Sequence, residues 1–161
     1  MLINVLKFGG TSLANLKRLE NVVKIVEKTI KDNSSKIILV VSAMSGVTNK
    51  LIKEFKKTRN NISDPEYDVI ISTGEQSSSA LMSTLLNKKK IKSRSLLGWQ
   101  IPILTDGNHS KARIIKINSK VLKDYLEKYR VLVIAGFQGI SEENRITTLG
   151  RGGSDTSAVA I

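Results

Sequence analysis

Apolar residues follow two patterns along this chain: short continuous runs, and longer stretches with apolar positions three or four residues apart. Residues 2–8, 37–41 and 131–135 form mainly continuous runs of the kind found in strands buried on both faces. Residues 13–30 and 121–129 have the spacing of amphipathic helices. Strands and helices that alternate in this way predict an α/β fold, a three-layer αβα sandwich around a mostly parallel sheet.

The remaining elements are predicted from shorter signals of the same kind. Apolar stripes within residues 47–55 and 81–86 indicate two more helices. Short strands are predicted at residues 69–71, 93–97, 101–104 and 113–117. Side chains that can accept hydrogen bonds from free backbone N–H groups are predicted to cap two of the helices, at Thr11 or Ser12 and at Asn118 or Ser119.

Turns of small residues follow the predicted strands, beginning with Gly9 and Gly10 after the first. In parallel sheets such turns meet at the carboxyl edge, where ligands bind. The backbone N–H groups of this glycine turn, together with the positive end of the helix behind it, suit a phosphate group. Lys7 stands just before the turn and can reach that phosphate, although a tight turn beside a surface lysine has the same sequence pattern.

A second glycine turn, at residues 150–157, is a more specific signal of a binding site. The planar guanidinium of Arg151 suits a carboxylate, and Gly152, Gly153 and Ser154 offer backbone donors. Asp155 places a carboxylate at the start of a helix, where it can also serve as a helix cap. The two roles of Asp155 are compatible, so the turn predicts an anion-binding site.

Three further polar residues are predicted at the same edge of the sheet. Glu75 follows the strand predicted at 69–71 and can hold an ammonium group, or can simply favour a helix start. Thr48 can donate to a carboxylate or cap a helix, and Ser42 follows the second strand. With Lys7, Arg151 and Asp155, these side chains are predicted to surround one ligand.

Composition excludes several other classes of site. The chain has no cysteine and a single histidine, His109, which rules out disulfides, thiolate nucleophiles and multi-histidine metal sites. His109 is predicted to be an exposed loop residue rather than a catalytic one. Neither a dinucleotide fingerprint nor a P-loop occurs. No apolar run approaches the ~20 residues of a membrane span, so a cytoplasmic protein without membrane contact is expected.

The net charge of +12 leaves two interpretations open. Basic residues cluster within 53–59 and 88–94, and such clusters can contact the phosphates of a nucleic acid. A lysine-rich solvated surface is the simpler interpretation and the one favoured here. No nucleic-acid partner is therefore expected, but a non-enzymatic basic protein that binds nucleic acid remains the alternative.

Six segments stand in a specific order along the whole chain: KFGGTS (residues 7–12), VSAMSGVTN (41–49), STGEQ (72–76), GWQIPI (98–103), AGFQG (135–139) and TLGRGGSDTS (148–157). The set resembles the aspartate kinases of the amino-acid kinase family. That resemblance implies the amino-acid kinase fold and transfer of the γ-phosphate of ATP to the side-chain carboxylate of L-aspartate. The product would be 4-phospho-L-aspartate, at the first step towards lysine, threonine and methionine.

The resemblance also implies a role for each site residue. Lys7 and Asp155 are the expected catalytic residues. The expected ligands of the ATP phosphates are Lys7, Gly9, Gly10, Thr11, Ser12, Gly152, Gly153 and Ser154. L-aspartate is expected to contact Ser42, Thr48, Glu75 and Arg151, with Glu75 facing its ammonium group and Arg151 its α-carboxylate. Mg²⁺ is expected to arrive with ATP and to have no direct protein ligand.

Aspartate kinases extend beyond the region that these segments cover. The resemblance therefore identifies residues 1–161 as the N-terminal, substrate-binding part of a kinase domain truncated at its C-terminus, lacking the nucleotide-binding half and the regulatory ACT domains. A companion chain that supplies the nucleotide-binding half is one expected partner, and a homo-oligomer is expected of an intact enzyme. Besides the basic nucleic-acid-binding protein, the alternatives are a complete working kinase and an inactive remnant.

Overall fold

The computed structural model describes residues 2–33, 35–59 and 61–161. Eight strands are present in this part of the chain: β1 (Ile3–Phe8), β2 (Lys36–Val41), β3 (Ser93–Leu96), β4 (Ile103–Thr105), β5 (Ile114–Ile117), β6 (Val131–Ala135), β7 (Gln138–Ile140) and β8 (Ile146–Thr148). Five α-helices accompany them: α1 (Leu16–Asn33), α2 (Val47–Thr58), α3 (Pro65–Lys88), α4 (Ser119–Lys128) and α5 (Gly153–Ala160). A 3-10 helix (Gly10–Leu13) follows β1.

The central sheet has the strand order β1-β2-β6-β3, and all of its pairs are parallel. Alternate side chains of β2 enter two different cores, because successive residues of a strand point to opposite faces. Leu39 packs with α1 and α3 on one face, and Val40 packs with Leu122 and Leu126 of α4 on the other. The predicted three-layer αβα arrangement is therefore confirmed, and the two faces explain why β2 is a continuous apolar run.

A second sheet, in the order β5-β4-β7-β8, lies beside the first and is mixed. β4 pairs antiparallel with β5 and parallel with β7, while β7 and β8 are antiparallel. β7 and β8 have only three residues each and had no strand signal in the sequence. Much of the chain between β6 and α5 therefore lies in this sheet, which leads into the first turn of α5.

The strand predicted at residues 69–71 is wrong, because these residues lie in α3. The helix begins at Pro65, which occupies its first turn, and the Asp64 side chain caps it by accepting from Glu66 N at 2.9 Å. Its 24 residues contain the whole STGEQ segment, so those small residues mark a helix contact and not a turn. Even α3 is no membrane span: within the described ranges no helix is both long and apolar enough to cross a bilayer.

The caps of two helices follow the prediction in one case only. Asn118 caps α4, since its side chain accepts from Val121 N at 3.3 Å. Thr11 and Ser12 instead lie in the 3-10 helix, and the side chain of Asn15 accepts from Arg18 N at 3.0 Å at the start of α1. The extra 3-10 turn moves the start of α1 further along the chain and places residues 9–12 beside the site.

Candidate active site

A pocket of about 210 Å³ opens at the carboxyl edge of the central sheet. Its walls come from the ends of β1, β2 and β6 and from α2, α3 and α5. The lining residues are Lys7, Ser42, Thr48, Glu75, Phe137, Gly152, Gly153, Ser154 and Asp155. Drug-sized ligands occupy pockets of ~300–1,000 Å³, so this volume suits a smaller ligand such as an amino acid.

An ion pair crosses the mouth of this pocket. Lys7 Nζ, at the end of β1, lies 2.8 Å from Asp155 Oδ1 in the first turn of α5. The Lys7 ammonium also lies over Gly9, where a Cβ atom would come within 3.5 Å of Nζ. The glycine turn after β1 and the start of α5 therefore meet around the Lys7 ammonium group.

Glu75 contributes a buried carboxylate with one unsatisfied oxygen. The residue is 4% exposed, and Oε1 accepts from Ala43 N at 3.0 Å. Oε2 is buried and has no hydrogen-bond partner among the described residues. Burial raises the pKa of this carboxyl group to about 7, although the hydrogen bond from Ala43 acts in the opposite direction. A cation entering the pocket would satisfy Oε2 and favour the charged form.

Close backbone approach brings Glu75 to this position. A Cβ atom at Gly74 would lie 2.8 Å from Ala43 Cβ, so only glycine lets α3 pack this closely against the turn after β2. A Cβ atom at Gly10 would lie 2.9 Å from the Ala43 carbonyl oxygen. Two glycines from distant segments therefore pack against Ala43, one at its Cβ atom and one at its carbonyl oxygen, and the Ala43 N–H donates to Glu75.

The N-terminus of α5 forms the opposite wall of the pocket. Gly152 has φ +77°, the left-handed conformation that favours glycine, and no side chain caps the helix. The first backbone N–H groups of a helix have no partners within the helix and carry partial positive charge. Gly153 and Ser154 therefore present donors beside the Lys7 ammonium, and this wall suits an anion.

Phe137 is a site residue that the sequence reasoning did not single out. Its φ is +68°, which is unusual for a bulky side chain. Phe137 N donates to Ser157 Oγ at 3.0 Å, and its carbonyl oxygen accepts from Leu149 N at 2.8 Å. Its ring packs on Gly153, where a Cβ atom would come within 2.7 Å of Cδ2. Its place directly after β6, at the ligand edge of the sheet, is the signal that could have found it.

The predicted site residues fall into two groups. Eight of them line the pocket: Lys7, Ser42, Thr48, Glu75, Gly152, Gly153, Ser154 and Asp155. Glu75 does so from the middle of α3 and not from a turn after a strand. The others, Gly9, Gly10, Thr11, Ser12 and Arg151, lie in the turns that flank the pocket and do not line it. Arg151 is exposed to solvent.

His109 is largely buried, contrary to the prediction of an exposed loop histidine. Its side chain is 13% exposed, and Nδ1 lies 2.7 Å from Asp68 Oδ2. Asp68 in turn lies in α3, two helical turns before Glu75. In the described parts of the chain, no three histidine, aspartate or glutamate side chains are grouped so that they could hold a metal ion.

Comparisons with known proteins find relatives over nearly the whole chain. The model of the amino acid kinase family matches residues 3–161. The aspartokinase of Rickettsia conorii is 48% identical over the whole of this chain, which spans 41% of that relative's length. The aspartate kinase structure from Synechocystis is 39% identical with a TM-score of 0.80, over 99% of this chain and 26% of that one.

A more distant structure shares the fold alone. Aspartokinase III from E. coli, solved in complex with aspartate and ADP, is 23% identical with a TM-score of 0.77. The match covers 96% of this chain and 45% of that one. The fold, the family match and the relatives agree over nearly every residue, and the chain belongs to the amino acid kinase family.

Proposed function

We propose that these residues form the aspartate-binding and phosphate-binding side of an aspartate kinase. The reaction is attack of a side-chain carboxylate oxygen of L-aspartate on the γ-phosphorus of ATP. The bond between that phosphorus and the bridging β-phosphate oxygen breaks, and ADP and 4-phospho-L-aspartate form. The observation that carries this proposal is one small pocket that combines a lysine and a free helix N-terminus with a buried carboxylate, one oxygen of which has no partner among the described residues.

Aspartate carries one cationic and two anionic groups, and the pocket has a counterpart for each. Glu75 Oε2 is the acceptor for the ammonium group, because a buried carboxylate oxygen without a hydrogen-bond partner is otherwise costly. Arg151 turns inward from its exposed position to pair with the α-carboxylate in the two-point geometry that guanidinium groups favour. Ser42 and Thr48 line the same pocket and offer hydroxyl donors.

The side-chain carboxylate of aspartate then points towards Lys7 and the start of α5. The ATP phosphates lie against residues 9–12 and 152–154, whose backbone N–H groups suit negative charge. Lys7 neutralises the phosphoryl group in transfer, and Asp155 orients the Lys7 ammonium through their ion pair. Catalysis of this reaction is mostly positioning and charge neutralisation, so the chain needs no covalent nucleophile.

Mg²⁺ fits this arrangement only as a companion of the nucleotide. The pocket offers one solvent-accessible carboxylate, Asp155, whose side chain is 67% exposed, and Glu75 is buried on the aspartate side. A single carboxylate with the ATP phosphates is a usual set of Mg²⁺ ligands. Held there by Asp155 and the nucleotide, Mg²⁺ would offset the negative charge that develops on the phosphate oxygens.

These residues account for only part of an aspartate kinase. They span 41% of the length of the Rickettsia conorii relative. We assign the adenosine part of ATP to protein outside residues 1–161, either a continuation of the chain or a companion chain. Aspartate binding is therefore the property to test on residues 1–161 themselves.

Calorimetric titration with L-aspartate tests the proposal. The wild-type chain is expected to bind aspartate, and Arg151→Ala is expected to weaken binding at least ~10-fold, as loss of a charge-assisted pair does. Arg145→Ala is the matched control, because Arg145 pairs with Glu66 on the surface. Absence of aspartate binding, or equal weakening by both variants, would refute the proposal. Salt-sensitive binding of DNA without aspartate binding would support the basic, non-enzymatic alternative instead.

A further inference from the structure

A fully buried carboxylate outside the pocket connects three segments of the chain. Asp68, in α3, accepts hydrogen bonds from Ser110 N at 3.0 Å and Thr148 N at 3.0 Å. The Thr148 hydroxyl also donates to it, and His109 Nδ1 lies 2.7 Å from Oδ2. A carboxylate only accepts, so Nδ1 of His109 carries the proton in this contact. The catalytic scheme above makes no use of this cluster.

Thr148 stands directly before the turn that carries Arg151. Its carbonyl oxygen accepts from Ala112 N at 3.0 Å, and the next residue, Leu149, donates to the carbonyl of Phe137 at 2.8 Å. Asp68 therefore holds Thr148, the last residue of β8, through hydrogen bonds from both its backbone N–H and its hydroxyl group. After Leu149, Gly150 is half-buried and Arg151 and Gly152 are exposed, so the path of the turn depends on where Thr148 is anchored.

The same helix carries the proposed acceptor for the substrate ammonium group. Asp68 and Glu75 are seven residues apart in α3, which is two helical turns and about 10 Å along the axis, so both lie on one side of the helix. Asp68 thus contacts Thr148, just before the turn of Arg151, from the same helix that presents Glu75. The two groups proposed to hold the α-ammonium and the α-carboxylate are connected through one rigid helix.

We propose, on the basis of the function proposed above, that Asp68 is a positioning residue that sets the distance between Arg151 and Glu75 for an α-amino acid. The carboxylate does not touch the substrate. It acts by holding Thr148, and through Thr148 the turn at residues 149–152, against α3. His109 supports it by filling the remaining acceptor position on Oδ2.

Asp68→Asn tests this proposal with little change in volume. An amide has one acceptor atom and one donor group, so its NH₂ would face N–H and O–H groups that all donate. We expect aspartate to bind ~10–100-fold more weakly, because a displaced Arg151 loses its charge-assisted pair with the α-carboxylate. Asp64→Asn is the matched control: it lies at the start of the same helix, and asparagine caps a helix as well as aspartate does.

Two substitutions at Thr148 test the contact without touching the buried charge. Thr148→Val removes the hydroxyl group that donates to Asp68 and keeps the shape of the side chain, while Thr148→Ser keeps the hydroxyl. We expect the valine variant to weaken aspartate binding ~10-fold and the serine variant to bind as the wild type does. Circular dichroism and urea unfolding establish that each variant is folded before titration.

A double-variant cycle separates positioning from general loss of structure. If Asp68 acts through the turn of Arg151, adding Asp68→Asn to Arg151→Ala produces no further weakening of aspartate binding. A further loss by the full factor, including loss of detectable binding, would overturn the proposal, as would wild-type affinity in both Asp68→Asn and Thr148→Val. Either result leaves the proposed function standing if the wild type binds aspartate; no binding by the wild type would refute both.

Discussion

At Glu75, one side chain combines a structural cost with the binding role proposed above. Its carboxyl group is buried, receives one hydrogen bond from Ala43, and has a second oxygen without a partner in the described structure. Such an arrangement is unfavourable in the ligand-free protein, and it persists because the surrounding backbone holds it in place. The position of the unpartnered oxygen in the pocket wall makes the protonation state of Glu75 part of ligand binding.

Aspartate binding should weaken as the pH falls below about 7. Burial raises the pKa of Glu75 to about 7, so the free protein increasingly holds the neutral carboxyl group below that pH. The substrate ammonium stays charged across this range and favours the ionised form, so binding releases a proton there. We expect the dissociation constant to rise towards ~10-fold for each pH unit below the pKa.

Calorimetry from about pH 5.5 to about pH 8.5, in buffers with different ionisation enthalpies, measures both the affinity and the proton release. The control is Glu75→Gln, which cannot ionise and should bind weakly with little pH dependence over this range. A steep pH dependence that survives in the glutamine variant would assign the titration to a different group.

The contact between α2 and α3 is the feature that matters at the scale of elements. Val69, Ile70 and Ile71 are β-branched and predicted a strand, yet they lie in α3 because Phe55 of α2 and Tyr67 pack with Ile71 in a small core. Propensity is a weak guide where tertiary packing decides. The small residues after this run do not break the helix; they let it approach the turn after β2.

Gly74→Ala should destabilise the protein and disrupt the pocket. The added methyl group would lie 2.8 Å from Ala43 Cβ and 3.3 Å from Val47 Cγ1, so α3 must move away. We expect a loss of ~1–3 kcal/mol in the free energy of unfolding, despite the better helix propensity of alanine. Urea unfolding measures this change.

The same substitution should also weaken aspartate binding, because the displacement lengthens the hydrogen bond from Ala43 N to Glu75. Gly107→Ala provides the control, since a Cβ atom there meets no heavy atom within 4 Å and φ is not positive. Unchanged or increased stability in the Gly74 variant would contradict the close packing described here.

On the scale of the whole molecule, the pocket joins segments from both ends of the sequence. Lys7 and Asp155 meet at its mouth, and Ser157 of α5 accepts from the backbone of Phe137 after β6. The second sheet contributes through Thr148, which Asp68 anchors to α3. A ligand in the pocket would therefore contact the strand ends of the central sheet, the three helices α2, α3 and α5, and the turn leading from the second sheet.

L-aspartate should accordingly stabilise the whole protein against heat. A ligand that binds only the folded state adds about 2.7 kcal/mol at a concentration 100 times its dissociation constant, which corresponds to a rise of several degrees in Tm for a domain of this size. Differential scanning calorimetry with and without aspartate measures it. Arg151→Ala should lose most of the rise at the same ligand concentration, and an equal rise in that variant would contradict the role of Arg151.

Local sequence was sufficient for the features that depend on neighbouring residues. β2 and β6 were predicted because strands buried on both faces need continuous apolar runs, and Asn118 was one of the two predicted caps of α4 because a cap acts within one turn. β7 and β8 had no signal, because each has three residues and is formed by pairing with its neighbours in the second sheet.

By itself, the sequence determined the strands of the central sheet, the helices α1, α2 and α4, and the side chains that could bind a charged ligand, since composition and short-range spacing encode them. Tertiary structure alone decided that Glu75 faces the pocket from within a helix, that Phe137 forms a wall, and that Asp68 anchors Thr148. Small residues suit a turn or a close helix contact equally well, and a buried carboxylate is stable only where distant donors converge on it. Long-range packing therefore decided between these alternatives.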